Sequence, residues 1–177
     1  MQILSYILSI LGLLSLLLAS VTKGERMRLI LFLIFLGNVL LGTSYFVGGE
    51  GINAAASCFL GACQSILNYT FTSKKKPVPK WLLAIYMLAF IGLNLWIEKG
   101  ITLPGMLVIV GSFTFIMCIT QSSGIPFRLW SMANAAIYCV YDGVTGSHGA
   151  LITHIVLFLF ALVGLLFVDL KLFRRKT

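Results

Sequence analysis

Long apolar runs dominate the chain, and short polar breaks divide them into seven segments. The breaks contain glycine, proline or charge, the usual punctuation between helices; they read TKGERMR, GGEG, SKKKPVPK, EKG, QSSGIP and GSHG. Each segment approaches the length of about 20 mostly apolar residues that a membrane-spanning helix needs. The pattern therefore predicts seven transmembrane helices, over residues 3–21, 29–47, 51–72, 80–97, 101–120, 127–145 and 149–170.

The composition agrees with this pattern. The chain has 177 residues, of which 59% are hydrophobic and 10% are charged, whereas a soluble domain carries about 25% charged residues. The expected class is an all-α, polytopic membrane protein that forms a single membrane domain. The first segment lacks the basic start of a signal peptide, so we expect it to be retained as a helix.

The basic residues predict an orientation. Twelve of the thirteen lysines and arginines follow the first, third, fifth and seventh segments, and only Lys99 falls on the other side. Basic residues concentrate on the cytoplasmic side of membrane proteins, so the N-terminus is expected outside and the C-terminus in the cytoplasm. This topological reading also accounts for the net charge of +8, and we expect no nucleic-acid partner.

A weak internal repeat relates the second and sixth segments. Asn38 precedes Tyr45 by seven residues, and Asn134 precedes Tyr141 by the same spacing. Segments one to three and five to seven share one orientation, so they would form parallel repeats joined by the fourth, an arrangement found in transporters. The predicted divisions are 1–73 for the first three-helix repeat, 74–99 for the linker helix and 100–177 for the second repeat.

Polar residues inside the segments are the candidates for function. Asn38 and Asn134 fall near mid-depth, where an amide either joins helices by hydrogen bonds or lines a polar cavity; both interpretations stay open. Gln64 and Asn68 are four residues apart and share one face of a segment rich in small residues. The residues predicted to line a midplane substrate cavity are Asn38, Gln64, Asn68, Asn134, Tyr138 and Tyr141.

Two ionisable residues flank the GSHG turn. Asp142 lies near the end of the sixth segment and His154 about one and a half turns into the seventh, so they are expected to be close in space. Such a pair either carries a proton in a coupled transporter or makes a structural hydrogen bond near the membrane surface. Near the other end of the seventh segment, Asp169 lies two residues from Lys171 and is expected either to snorkel to the membrane surface or to pair with that lysine. No catalytic motif or metal-ligand spacing is present, and we expect neither a cofactor nor an enzyme activity.

The second half of the chain carries a resemblance. The stretch from Pro104 to Ser112, Arg128 before the sixth segment, the aromatic-x-x-Tyr pattern ending at Tyr141 and the GSHGA turn resemble the YgjV-type bacterial inner membrane proteins. In the first half, LLGTSYFVGG and the small-residue third segment agree with it. The resemblance extends to the SWEET and PQ-loop class in its 3+1+3 layout, and it implies a multi-pass protein of the bacterial inner membrane.

Two functions are expected from these features. The first is an alternating-access carrier or facilitator for a small polar solute such as a sugar, nucleoside or vitamin, because amide and phenol groups suit a neutral, hydrogen-bonding solute. The alternative is a non-transporting membrane protein: a scaffold, an accessory subunit or a lipid-interacting protein. The expected partners are the lipid bilayer and the solute, and the sequence leaves a homodimer open.

Overall fold

The computed structural model describes residues 2–48, 52–98 and 102–170, and these ranges are helical apart from short turns. A 3-10 turn at Gly24–Arg26 precedes the second helix, and the last helix continues as a π-helix over Gly164–Asp169. The seven α-helices of the described ranges are α1 Gln2–Val21, α2 Met27–Gly48, α3 Ile52–Ser73, α4 Lys80–Glu98, α5 Leu103–Ile119, α6 Gly124–Thr145 and α7 His148–Val163.

Each predicted segment overlaps one of these helices, so the predicted number of helices is confirmed. Helix α7 ends at Val163 and continues as the π-helix, and α6 begins at Gly124 rather than at residue 127. Pro126 fits there because the first turn of a helix leaves its N–H groups without helical partners. Arg128 consequently lies in the second turn of the helix and is fully buried, although the charge pattern counts it among the loop charges.

Within the described residues, three stretches are long and apolar enough to cross a membrane: Gln2–Val21, Gly24–Gly48 and Ala150–Asp169. Helices α4 and α5 are shorter apolar helices. The least apolar helices are α3 and α6, which carry most of the polar residues predicted to form the site. The fold is thus that of an all-helical chain with the apolar stretches of a helical membrane protein.

Small residues bring α1 and α2 together. Gly12 and Gly37 face each other, and a Cβ on either would lie 3.1 Å from the backbone oxygen of the other. Ser15 donates to the Leu33 carbonyl over 2.8 Å, and the hydroxyls of Ser5 and Ser44 lie 3.0 Å apart. Close approach through small residues and serine hydrogen bonds is how helices associate where the hydrophobic effect gives little help.

Neighbouring helices pack in two series. Helix α2 packs between α1 and α3, and α6 packs between α5 and α7. Helix α4 packs chiefly on α5, where Phe90 meets Phe115 edge-on with ring centroids 6.4 Å apart. Contacts between α1 and α7 join the two series.

Hydrogen bonds define the two ends of this bundle. At one end, Arg128 at the start of α6 bonds to the carbonyls that end α1, and Arg28 at the start of α2 lies 3.4 Å from the carbonyl of Ser73, which ends α3. We call this the Arg128 end. At the other end, Asp142 near the close of α6 meets His154 of α7; we call this the His154 end.

Candidate functional site

Helix α3 buries polar side chains in the interior of the bundle. Gln64, Ser65 and Asn68 are all fully buried. The Ser65 hydroxyl donates to the Gly61 carbonyl of its own helix, 2.8 Å away. Asn68 uses Nδ2 to donate to the Ile119 carbonyl at the end of α5, at 3.1 Å. Gln64 differs, because neither its Nε2 nor its Oε1 finds a hydrogen-bond partner among the described residues.

The position of Gly61 on the same face of α3 indicates which helices surround this cluster. Gly61, Gln64 and Asn68 are three and four residues apart, so they line up along one side of α3. A Cβ on Gly61 would lie 3.3 Å from Asn38 Oδ1 of α2 and 3.3 Å from the Phe115 ring of α5. Gln64 therefore lies along the boundary of α2, α3 and α5. We call Asn38, Gln64 and Asn68 the polar junction.

The polar junction is energetically costly as it stands. Gln64 Nε2, Gln64 Oε1 and Asn68 Oδ1 are buried, and none has a partner among the described residues. A buried polar group without a hydrogen bond costs about 1–3 kcal/mol. Natural proteins keep few such groups, and each one calls for an explanation. One donor and two acceptors on one face of α3 are a set of groups to which a polar solute could hydrogen-bond.

Asn134 lies elsewhere and has its partners. Its Nδ2 donates to the Gly111 carbonyl at 2.7 Å and lies 3.1 Å from Thr114 Oγ1, so it joins α6 to α5. Asn38 instead donates to Ile34 of its own helix over 2.9 Å. The two asparagines of the predicted repeat thus make different hydrogen bonds, and in the described structure Asn134 acts as a bond between helices.

The remaining predicted residues gather at the His154 end. Tyr138 stacks on His154 with ring centroids 5.1 Å apart, and Tyr141 meets Tyr138 edge-on at 6.2 Å. His154 Nδ1 lies 2.6 Å from Oδ2 of the buried Asp142, which confirms that these two residues are close in space. The Tyr138 ring covers Gly111, where a Cβ would approach it to 2.9 Å.

The eight predicted residues therefore occupy more than one place. Three form the polar junction, Asn134 bridges α5 and α6, and the other four form what we call the His154 cluster: Tyr138, Tyr141, Asp142 and His154. Each of the two groups is coherent in itself. The polar junction has unused hydrogen-bonding capacity, whereas the His154 cluster holds a paired carboxylate and imidazole.

Arg128 is a second buried charge, and its contacts were not predicted from the sequence. Arg128 donates through Nε to Asp169 Oδ2 at 2.8 Å, through Nη2 to the Thr22 carbonyl at 2.5 Å, and through Nη1 to the Ser20 carbonyl. Asp169 Oδ1 also accepts from the Gly24 N–H at 3.3 Å. We call Arg128 and Asp169 the clasp. The expected partner of Asp169, Lys171, lies outside the described residues, and the carboxylate pairs with Arg128 instead.

A signal for the clasp was present in the sequence. Arg128 and Asp169 are opposite charges at the start of the sixth apolar run and the end of the seventh, which antiparallel helices bring to one end. Lone charges inside apolar runs mark pairs of this kind. Assigning Arg128 to the cytoplasmic loop charges hid the pairing.

A cavity of about 1070 Å³ opens at the Arg128 end. None of the eight predicted site residues lines it. Asp169 does, together with Lys23, Glu25 and the turn between α5 and α6. Among the described residues, no group of three or more histidines, cysteines and carboxylates is placed to hold a metal ion.

Comparison with protein-family models, curated proteins and solved structures finds no match. The resemblance to the YgjV-type proteins stays a prediction.

Proposed function

We propose that the protein is a membrane carrier for a small, neutral polar solute that binds at the polar junction. The observation that carries this proposal is the full burial of Gln64 with both polar atoms unpartnered among the described residues. A purely structural glutamine in an apolar setting would gain nothing to offset its desolvation. A site that alternates between an empty and a solute-bound state explains why the cost is kept.

The donor and acceptor set favours a neutral solute. Gln64 offers an N–H and a carbonyl oxygen, and Asn68 offers a second carbonyl oxygen. Among the described residues, the buried charged side chains Arg128 and Asp142 are each engaged by a partner from α7 or its π-helix. The junction therefore suits a molecule with hydroxyl or amide groups, such as a sugar, nucleoside or vitamin.

The proposed architecture is the 3+1+3 plan with the N-terminus outside and the C-terminus in the cytoplasm. This plan is supported by two glycines, one on α1 and one on α5, that each pack against a side chain of the following helix. Gly12 of α1 receives Leu41 from α2, three residues after Asn38, and Gly111 of α5 receives Tyr138 from α6, four residues after Asn134. The two helix pairs thus pack in the same way, at positions that differ by one residue relative to the two asparagines. In this plan the repeats meet around the polar junction, as in other carriers built from repeats.

Solute counterflow in proteoliposomes tests the proposal. The purified chain is reconstituted and loaded in turn with unlabelled sugars, nucleosides and vitamins, and entry of the matching labelled solute is measured. We expect counterflow for one solute class, and we expect Gln64→Met to abolish it because methionine keeps the size of glutamine and removes its polar atoms. Asn94→Leu is the matched control, since Asn94 is a buried amide of α4 that bonds only within its own helix in the described structure.

Equal counterflow in wild type and Gln64→Met would overturn the assignment of the site. A folded protein with no counterflow across the panel would favour the alternative of a scaffold or accessory subunit, and co-purification of a partner at fixed stoichiometry would then be the next observation to seek.

A further inference from the structure

Three glycines let backbones meet at the Arg128 end. A Cβ on Gly24 would lie 2.3 Å from the Gly124 Cα, so the turn after α1 touches the start of α6 directly. A Cβ on Gly164 would lie 2.2 Å from the Ser20 carbonyl oxygen and 2.7 Å from the Arg128 guanidinium carbon. The clasp therefore ties together the end of α1, the start of α6 and the π-helix that follows α7.

The clasp borders on water at one edge. Arg128 is fully buried, whereas Asp169 lines the open cavity of about 1070 Å³ with a side chain that is 9% exposed. A buried ion pair gives up hydration on both sides, so its net contribution to stability is small or negative. If the ends of α6 and α7 part, both charges regain water from this cavity. The closed and open arrangements of such a pair can thus be close in free energy.

The π-helix supplies a place for that movement. Gly164–Asp169 departs from the α-helical repeat directly after α7 and carries Asp169 at its end. Single π turns inside helices are uncommon and occur often at functional sites. Shifting this short segment back toward α geometry would displace the Asp169 carboxylate without unfolding α7.

An apolar plug lies next to the clasp, and its members adjoin a residue that lines the cavity and a residue of the polar junction. Its buried members share contacts among α1, α2, α5 and α6 and are Ala19, Met27, Ile30, Leu31, Ile34, Cys118, Ile119 and Phe127. Ile119 accepts the hydrogen bond from Asn68, and Phe127 follows Pro126, which lines the cavity. A solute passing from the cavity to Asn68 would have to displace this plug.

We propose that the clasp and the plug form the gate at the Arg128 end of the carrier, and that the described structure has this gate closed. The inference rests on the proposed carrier function for the passage that the gate controls. Opening would separate Arg128 from Asp169, hydrate both charges and move Phe127 and Ile119 out of the path to the polar junction.

Cys118 is a native reporter of this movement. It lies in the plug, is 5% exposed, and its Sγ lies 3.4 Å from the Phe127 carbonyl and 3.0 Å from Ser131 Oγ. A chain with Cys58→Ala, Cys63→Ala and Cys139→Ala leaves Cys118 as its single thiol. In lipid nanodiscs both faces are accessible, so the rate of labelling by a charged, water-soluble methanethiosulfonate reports how often water reaches the plug.

We expect Asp169→Asn to raise this labelling rate at least tenfold over the single-thiol parent, because it removes the charge that holds Arg128. Asp142→Asn is the matched control: it removes a buried carboxylate from the His154 end, fourteen residues or about 21 Å along α6 from Arg128, and should change the rate less than twofold. Arg128→Lys keeps the charge but loses the fork of bonds to Ser20, Thr22 and Asp169, and should give an intermediate rate.

Unchanged labelling in Asp169→Asn, or an equal increase in Asp142→Asn, would overturn the gate. If Asp169→Asn does not fold, the labelling rate of Arg128→Lys is measured in its place. If neither variant folds, the clasp is required for folding and the proposal is overturned. Labelling needs no solute, so an accelerated rate without counterflow in proteoliposomes would count against the carrier function and leave the opening of this end established.

Discussion

At the residue scale, the polar side chains differ in what they cost the protein. Asn134 satisfies its amide on α5, and Asn38 and Asn94 donate to carbonyls of their own helices. Gln64 is buried with no partner for either polar atom among the described residues. The sequence predicted Gln64 and Asn68 on one inner face, because their four-residue spacing fixes it. It could not predict which amides would find partners, since that depends on contacts between helices.

Gln64→Met should leave the solute-free protein as stable as wild type or more stable, by about 1–3 kcal/mol, because it removes two unsatisfied polar atoms at nearly constant volume. Asn134→Leu should instead destabilise it by about 0.6–2 kcal/mol, because it breaks an interhelical bond. Thermal unfolding in detergent measures both. A destabilised Gln64→Met variant would show that the glutamine has structural partners. That result would contradict the assignment of the polar junction as a solute site.

At the element scale, helix number and order followed from the sequence, while the contacts at the Arg128 end did not. Seven apolar runs separated by glycine, proline and charge fixed α1 to α7 to within a few residues. The start of α6 was missed because Pro126 has the sequence character of a loop residue, yet proline suits a first helical turn. The charge pattern counts Arg128 among the loop charges, yet it is buried and bonds to Asp169 and two carbonyls. Tertiary contacts overrode the local signal.

The packing of α5 on α6 gives a test at this scale. Gly111→Ala should destabilise the protein by about 1–3 kcal/mol through overpacking, because its Cβ would meet the Tyr138 ring at 2.9 Å and that ring is held against His154. Gly92→Ala is the matched control on α4, where no atom lies within 4 Å of the added Cβ, and it should be neutral or stabilising by up to about 1 kcal/mol. Unfolding temperatures compare the two variants, and equal losses would contradict the described packing.

At the scale of the whole molecule, two hydrogen-bonded pairs of ionisable side chains join α6 to the last helix at opposite ends of the described structure. Arg128 meets Asp169 at one end and Asp142 meets His154 at the other, and the polar junction belongs to the interior of the bundle. The sequence predicted the second pair from its proximity in the chain. Predicting the Arg128–Asp169 pair required knowing which helix ends lie on the same side of the bundle. The charge pattern indicated that side, but it did not identify the two residues as partners.

Orientation is tested by thiol accessibility in intact cells. In a chain whose four native cysteines are replaced, Ser147→Cys places a thiol on the exposed turn of the His154 end, and Lys75→Cys places one on the exposed turn after α3. With the N-terminus outside, an impermeant reagent should label the first in intact cells and the second only after permeabilisation. The reverse pattern would invert the proposed topology.

The measurement that tests the central claim most directly is solute-dependent thermal stabilisation of wild type, Gln64→Met and Asn94→Leu against one panel of neutral sugars, nucleosides and vitamins. A ligand of the folded state stabilises it by about 2.7 kcal/mol at one hundred times its dissociation constant. We predict that one solute class raises the unfolding temperature of wild type and Asn94→Leu and leaves Gln64→Met unchanged. A shift that persists in Gln64→Met would contradict the claim that the buried glutamine receives the solute.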